Sequence, residues 1–151
     1  MKIISKIIKL KSKKYLEFID LTDQVQDFVL KSKIKNGSVL IYARHTTMAI
    51  RINEREKGIF TDFNEFVNSL ISKKAYFRHN DLTIRTENIV CSAGASDCLN
   101  GHSHCIHLLM GPSETVPIIS GKLMLGIYQR IFAVEVDCAR PREIIIQIMG
   151  E

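Results

Sequence analysis

Glu114-Thr-Val-Pro-Ile-Ile119, Ser120-Gly121 and Lys122-Leu-Met-Leu-Gly-Ile-Tyr-Gln-Arg-Ile-Phe-Ala-Val-Glu-Val136 read as two β-strands joined by a two-residue turn. A hairpin makes its strands antiparallel neighbours, so this stretch decides the fold class. Pro117 has no backbone N–H to give a ladder, which makes its strand an edge or a bulged one. Gln129 and Glu135 are polar groups within the apolar second run, and they either face solvent or point into a site. Beyond them, Cys138-Ala-Arg140-Pro141 reads as a turn and Arg142 to Met149 as a last strand.

Immediately before the hairpin lies Asn100-Gly-His102-Ser-His104-Cys-Ile-His107-Leu-Leu-Met-Gly111-Pro112, with three of the five histidines of the chain. Asn100 is a good N-cap and Gly-Pro a good stop, so residues 101–110 are expected to form a short helix. On a helix His104 and His107 lie on neighbouring lines with Leu108, whereas His102 and His104 point about 200° apart. Those two share a ligand only if the first turn is irregular. His107 reads as a helix-surface residue; for His102 and His104 both a surface place and a functional role stay open.

Toward the N-terminus, residues 2–10 and 14–20 carry β-branched and alternating apolar positions and are expected to pair through a hairpin at Ser12-Lys13. Thr22-Asp23 opens a helix with Val25, Phe28 and Val29 on one face, closed by Asn36-Gly37. Ser38 to His45 is a core strand and Met48 to Asn53 the next, which leaves His45, Asn53 and Glu54 at strand ends, where rigid backbone holds polar groups open to solvent. From Glu54 to Ser72, Ile59, Phe63, Phe66, Val67, Leu70 and Ile71 recur at helical spacing, an amphipathic helix with a core stripe. Lys73 to Leu82 form a basic, aromatic loop in which His79 precedes Asp81 by two residues; either Asp81 orients the imidazole or this is a plain surface loop. Residues 83–91 are weakly β and 92–99 a small-residue loop. Hairpins outnumber crossovers, so the class is α+β around a mainly antiparallel sheet, a single domain over 1–151 with two longer helices and one short helix.

At 151 residues, 46% hydrophobic and 25% charged, the chain suits one soluble domain with a sizeable core. No apolar run approaches the roughly 20 residues needed to cross a bilayer, and Met1-Lys-Ile-Ile-Ser-Lys6 alternates charge too soon for a secretory segment, so a cytoplasmic protein without a membrane partner is expected. The net charge of +5 permits attraction to phosphates. Lys9, Lys11, Lys13, Lys14, Lys31, Lys33 and Lys35 nevertheless sit among structural residues and read as edge protection or solvated strand ends, not a nucleic-acid stripe. Cys91, Cys98, Cys105 and Cys138 include no CxxC pair, which argues against a structural zinc knuckle; Cys91 and Cys98 flank a turn and would bridge chiefly in a hyperthermophile.

Three stretches together resemble the YjbQ family, a group labelled secondary thiamine-phosphate synthases: His45-Thr-Thr-Met-Ala-Ile-Arg-Ile-Asn53-Glu54; Tyr76-Phe-Arg-His79-Asn80-Asp81; and Asn100-Gly-His-Ser-His104 continuing through Gly111-Pro-Ser, Val116-Pro-Ile, Gly121-Lys-Leu, Leu125-Gly-Ile-Tyr-Gln129, Glu135, Arg140 and Gly150-Glu151. The likeness runs along essentially the whole chain in order. It departs at Gly126-Ile-Tyr128-Gln129, where the family usually has Gly-Thr-Trp-Gln, a change to an aromatic wall that leaves Gln129 in place. The resemblance implies a compact barrel-like domain assembled as a homotrimer, with polar residues near subunit boundaries.

Three functions follow as expectations. In the first, the protein joins hydroxymethylpyrimidine diphosphate to thiazole phosphate, a phosphorylated small-molecule substrate pair. Glu54, Asp81 and Glu135 would hold Mg²⁺, Arg140, Arg130 and Arg44 would meet phosphates, and Asn100 and Gln129 would complete the catalytic set. The chain has no Gly-rich phosphate loop and is too short for a (β/α)₈ barrel of about 250 residues. In the second, His45, His79, His102 and His104 converge on zinc, with Glu54 or Asp81 as base of a hydrolase. In the third, the same residues form a buried polar network in a non-catalytic trimer.

Overall fold

The structure, a computed structural model, describes residues 1–89 and 99–151; Cys91 and Cys98, and with them the expected bridge, lie outside the described residues. Its strands are β1 (Lys2–Lys11), β2 (Glu17–Asp20), β3 (Gly37–Ala43), β4 (Met48–Glu54), β5 (Ser113–Ile119), β6 (Lys122–Leu123), β7 (Gln129–Glu135) and β8 (Pro141–Gly150). Its helices are α1 (Thr22–Ser32), α2 (Lys57–Leu70) and α3 (Gly101–Met110), with a 3₁₀ turn at Arg78–Asn80.

Alternation explains the larger sheet. In β8, Ile144, Ile146 and Ile148 are fully buried while their neighbours are partly exposed, the period of two that a half-buried strand imposes. β8 hydrogen-bonds to β1 on one side and β3 on the other, giving the antiparallel order β1-β8-β3-β5-β6, curled into a half-barrel. A second antiparallel sheet, β2-β7-β4, closes over it. Val39 and Ile41, Met48 and Ile50, and Ile131 and Ala133 meet between the sheets, with Val25 and Val29 of α1 in the same cluster. Each isoleucine so buried contributes about 1.5–3 kcal/mol. β7 is buried on both faces, because Phe132 and Val134 meet a second cluster that includes Val67 of α2 and Ile106 and Met110 of α3. The α+β, mainly antiparallel, barrel-like reading therefore holds, and among the described residues no helix is long and apolar enough to cross a membrane.

Four expectations are corrected. β1 and β2 do not form a hairpin: β1 pairs with β8 and β2 with β7, in different sheets. The intervening Ser12 is buried, donating to Glu135 Oε2 at 2.6 Å and through its backbone N–H to Arg140 O at 3.0 Å, which turns the chain from one sheet to the other. The hairpin at Ser120-Gly121 does form, with positive φ at both turn residues (51° and 76°) as a primed turn requires. Its second strand, however, ends at Leu123; the chain then crosses to the smaller sheet and begins again at Gln129. Residues 83–89 form no strand. α1 also ends before Asn36-Gly37, at Lys33 in the left-handed region with φ 61°, which leaves Gly37 to begin β3.

Candidate functional site

The site begins where α3 starts. A Cβ on Gly101 would stand 2.7 Å from Phe77 Cβ, so only glycine lets the first turn of α3 approach the 77–80 segment this closely. Asn80 Oδ1 accepts from Gly101 N at 2.8 Å and fastens the two together. This docking places the His79 ring against His104, with centroids 4.5 Å apart and planes at 53°.

Asn100 occupies the N-cap position but makes no side-chain cap bond. Its Nδ2 donates to Asp137 Oδ2 at 2.8 Å, which directs its Oδ1 toward His79 Nε2 at 3.2 Å. Arg85 approaches the same nitrogen through Nη1 at 3.1 Å, and donates to the carbonyls of His79, Glu87 and Asn88. A guanidinium only donates and an amide oxygen only accepts, so Nε2 satisfies one of them at a time. The two arrangements differ by one proton on Nε2. Above these groups is a cavity of about 850 Å³ lined by Thr46, Arg78, His79, Arg85 and His104. Burial, then the neighbouring His79, holds the His104 imidazole below its ordinary pKa, with Asp137 opposing. His104 therefore enters the cavity as a neutral ring able to donate from one nitrogen and accept at the other.

The remaining expected residues divide among other places. His45 Nε2 accepts from Glu143 N at 2.8 Å, so its proton sits on Nδ1, facing a smaller recess shared with Thr46 and His107. Burial, then Arg142, lowers its pKa. His102 is buried and lines a different recess together with Asp137, edge-on to Tyr15 at 5.8 Å, its pKa lowered by burial and then by Lys73. The four histidines thus do not converge within one chain. Among the described residues no group of three His, Cys, Asp or Glu is placed to hold a metal ion.

Glu135 is fully buried and fully engaged, receiving hydrogen bonds from Arg142 on both oxygens and from Ser12 Oγ and Asp137 N. It is a structural ion pair in this chain, not a metal or substrate ligand, because no lone pair is left to offer. Asp81 is half-buried and accepts from Thr83 N, Thr83 Oγ1 and Tyr76 OH, so it shapes its own loop, and the His79 ring is oriented by Asn100 and Arg85 instead. Glu54 and Gln129 face each other at the far end of the β4–β7 ladder, whose near end pairs Met48 with Glu135. Six residues of strand, about 20 Å, separate them from Glu135. Arg140 pairs with Asp137 at 2.7 Å, Arg130 with Asp20 at 2.8 Å and Arg44 with Glu143 at 3.2 Å.

Asp137 and Arg85 were absent from the expected set. The one sequence signal for Asp137 is its position, a carboxylate directly after the apolar run that ends at Val136; Arg85 carries none, since its contacts with the His79 ring and with backbone carbonyls leave no mark in the sequence.

The family model described as UPF0047 protein YjbQ-like matches residues 6–151. A UPF0047 protein of Archaeoglobus fulgidus is 36% identical over 142 residues, 94% of this chain and 98% of that one. Another, of Methanothermobacter thermautotrophicus, is 31% identical over 151 residues, 100% of this chain and 95% of that one. Among solved structures, a YbjQ-like protein of unknown function from Sulfolobus solfataricus P2 superposes with a TM-score of 0.86 at 33% identity, covering 99% of both chains.

Proposed function

The chain belongs to the UPF0047 family of YjbQ-like proteins, and from that premise we propose that the His79/His104 cavity is the reaction site of an enzyme acting on a phosphorylated small molecule in the cytoplasm. The observation that carries this reading is the pairing of two imidazoles 4.5 Å apart at the base of a cavity that Arg78 and Arg85 also line. Imidazoles move protons near neutral pH, and guanidinium charge stabilises phosphate oxygens.

Thiamine-phosphate synthesis is the reaction to assay first. The thiazole nitrogen attacks the methylene carbon of hydroxymethylpyrimidine diphosphate; the C–N bond forms, the C–O bond breaks, and diphosphate leaves with the electron pair. Arg78 and Arg85 place positive charge against the departing group, and His104 donates a hydrogen bond to it. Asn100 and Asp137 position His79 from behind. The described residues offer a metal two imidazoles and no third ligand, so they do not by themselves fit a three-ligand zinc centre, and no step here runs through a metal. A zinc hydrolase would need further ligands from beyond the described residues.

The test is the condensation assay on the parent chain, His79→Ala and His104→Ala, with metal content per chain measured on each. The expected result is synthase turnover in the parent and its loss in both variants. Turnover unchanged in both variants would remove the cavity as the reaction site.

A further inference from the structure

Apart from the His79/His104 cavity, with which it shares no lining residue, lies an open recess of about 460 Å³, lined by Lys13, Lys14, Lys73, Tyr15, His102 and Asp137, among others. In the sequence Lys13 and Lys14 read as solvated strand ends; the fold instead gathers them with Lys73, distant in the chain, around one concavity. The recess is thus rich in donors and cations. Among the described residues its one lining carboxylate is Asp137, 8% exposed, whose Oδ2 receives Asn100 Nδ2 at 2.8 Å and is ion-paired with Arg140 Nη2 at 2.7 Å.

The groups that line it are positioned, not merely nearby. Lys73 Nζ stands 3.1 Å from the centre of the Tyr15 ring, a cation–π contact that holds the ammonium in place, and Tyr15 OH is in turn anchored on Asn68 Oδ1 at 3.2 Å. Glu17 accepts from the backbone N–H of Lys13 and sets the turn that carries Lys13 and Lys14. His102, 9% exposed, forms part of the wall; its Nε2 meets Ser103 Oγ at 3.2 Å and its Nδ1 has no hydrogen-bond partner among the described residues. Gathering like charges around a cavity costs free energy that an anion in the cavity recovers. Partial burial lowers the pKa of Lys73, with Asp137 opposing.

We propose that this recess is a second anion site, separate from the reaction cavity, which takes a phosphate or diphosphate group between Lys13, Lys14 and Lys73 with His102 Nδ1 as a further donor. Asp137 links the two places: it lines the recess and, through Asn100, backs His79. The inference stands on these groups and does not depend on which reaction the cavity performs.

The test is calorimetric titration of the full chain with inorganic diphosphate, inorganic phosphate and ribose 5-phosphate in turn, on the parent, on Lys13→Gln/Lys14→Gln/Lys73→Gln, and on His104→Ala. The expected result is a diphosphate-binding event in the parent that weakens as KCl is raised, persists in His104→Ala, and is at least about tenfold weaker in the lysine variant. Tighter binding of ribose 5-phosphate than of either inorganic ion assigns the site to a phosphomonoester; the reverse order assigns it to free anion, and both support the site. The proposal is overturned if the parent binds none of the three, if the lysine variant binds as the parent does, or if His104→Ala removes all binding. The lysines are exposed, so an unchanged Tm in the lysine variant shows that the loss is of the site and not of the fold. Lost synthase turnover in His104→Ala with unchanged anion binding in the lysine variant sinks this inference alone.

Discussion

Asn100 Nδ2 donates to Asp137 Oδ2 at 2.8 Å, joining the residue before α3 to the turn after β7 across 37 positions of chain. Both side chains are buried, Asn100 at 7% and Asp137 at 8% exposure. The bond therefore sets which way the amide faces, and with it the atom presented to His79. Replacing Asn100 by Asp puts two carboxylates in contact where a donor is needed. We expect Asn100→Asp to lose about 1–3 kcal/mol of stability at neutral pH and to regain part of it on acidification, since the new carboxyl titrates high beside a like charge. Denaturant unfolding at pH 7.5 and 5.5 checks this; equal stability to the parent at pH 7.5 is the result that would refute it.

His104→Ala removes the imidazole that faces the cavity while leaving α3 with a better helix former. Turnover should fall by about 10²–10⁴, the usual worth of a positioned acid or base. Tm should move by no more than a few degrees, because the ring is only half-buried. A variant that unfolds before it loses activity would recast His104 as a packing residue.

Glu135 and Arg142 are 0% and 4% exposed and bonded to each other through two nitrogens. Removing one charge leaves the other buried and unpaired, so Glu135→Gln should cost about 3–5 kcal/mol, a fall in Tm on the order of 10 °C for a chain of this size. Adding Arg142→Met should recover much of the loss. A loss under about 1 kcal/mol in Glu135→Gln would mean that the pair is not the buried ion pair described.

The histidines give stability a pH dependence of definite sign. His45, His102, His104 and His107 all have pKa values below the ordinary 6.5, with burial as the first cause in each. In the unfolded chain they protonate near 6.5, and in the folded chain only at lower pH. Between those values the unfolded state binds more protons, so stability is full above about pH 6.5 and declines as pH falls below it. Asp20 and Asp81, whose pKa values lie below 3.8, act only in a more acidic range. Tm measured at pH 7.5 and 5.5 should be lower at 5.5, and His102→Asn should shrink the difference; a Tm that is higher at pH 5.5 contradicts the sign.

Gly101→Ala places a methyl 2.7 Å from Phe77 Cβ and 3.1 Å from Asn80 Oδ1. The 77–80 segment must shift, and His79 moves with it. We expect turnover to drop by at least about tenfold, since a small misplacement of a reacting group is costly, while far-UV circular dichroism stays as in the parent because alanine favours the helix. Parent-level turnover would show that the close approach does not set the His79 position.

What the sequence by itself determined is the local order of this protein. Alternation at Ile144, Ile146 and Ile148, the primed turn at Ser120-Gly121, the Gly-Pro stop after Met110 and the helical spacing of Phe63, Val67 and Leu70 each follow from preferences that act over a few residues. The antiparallel class, α3 and the candidacy of His79 and His104 were legible for that reason, as was the family likeness. The tertiary structure alone decided which of these pieces meet. Nothing local to Lys2–Lys11 says that its partner is Pro141–Gly150 and not the strand beyond Ser12; burial of both isoleucine faces against one core decides that. Nor does any spacing show that Glu135 is spent on Arg142, or that His45 gives its acceptor nitrogen to the backbone of Glu143, 98 positions away. Register and side-chain partnership are settled by which long-range pairings bury the most apolar surface while leaving the fewest polar groups unsatisfied, and that comparison exists only once the whole chain is folded.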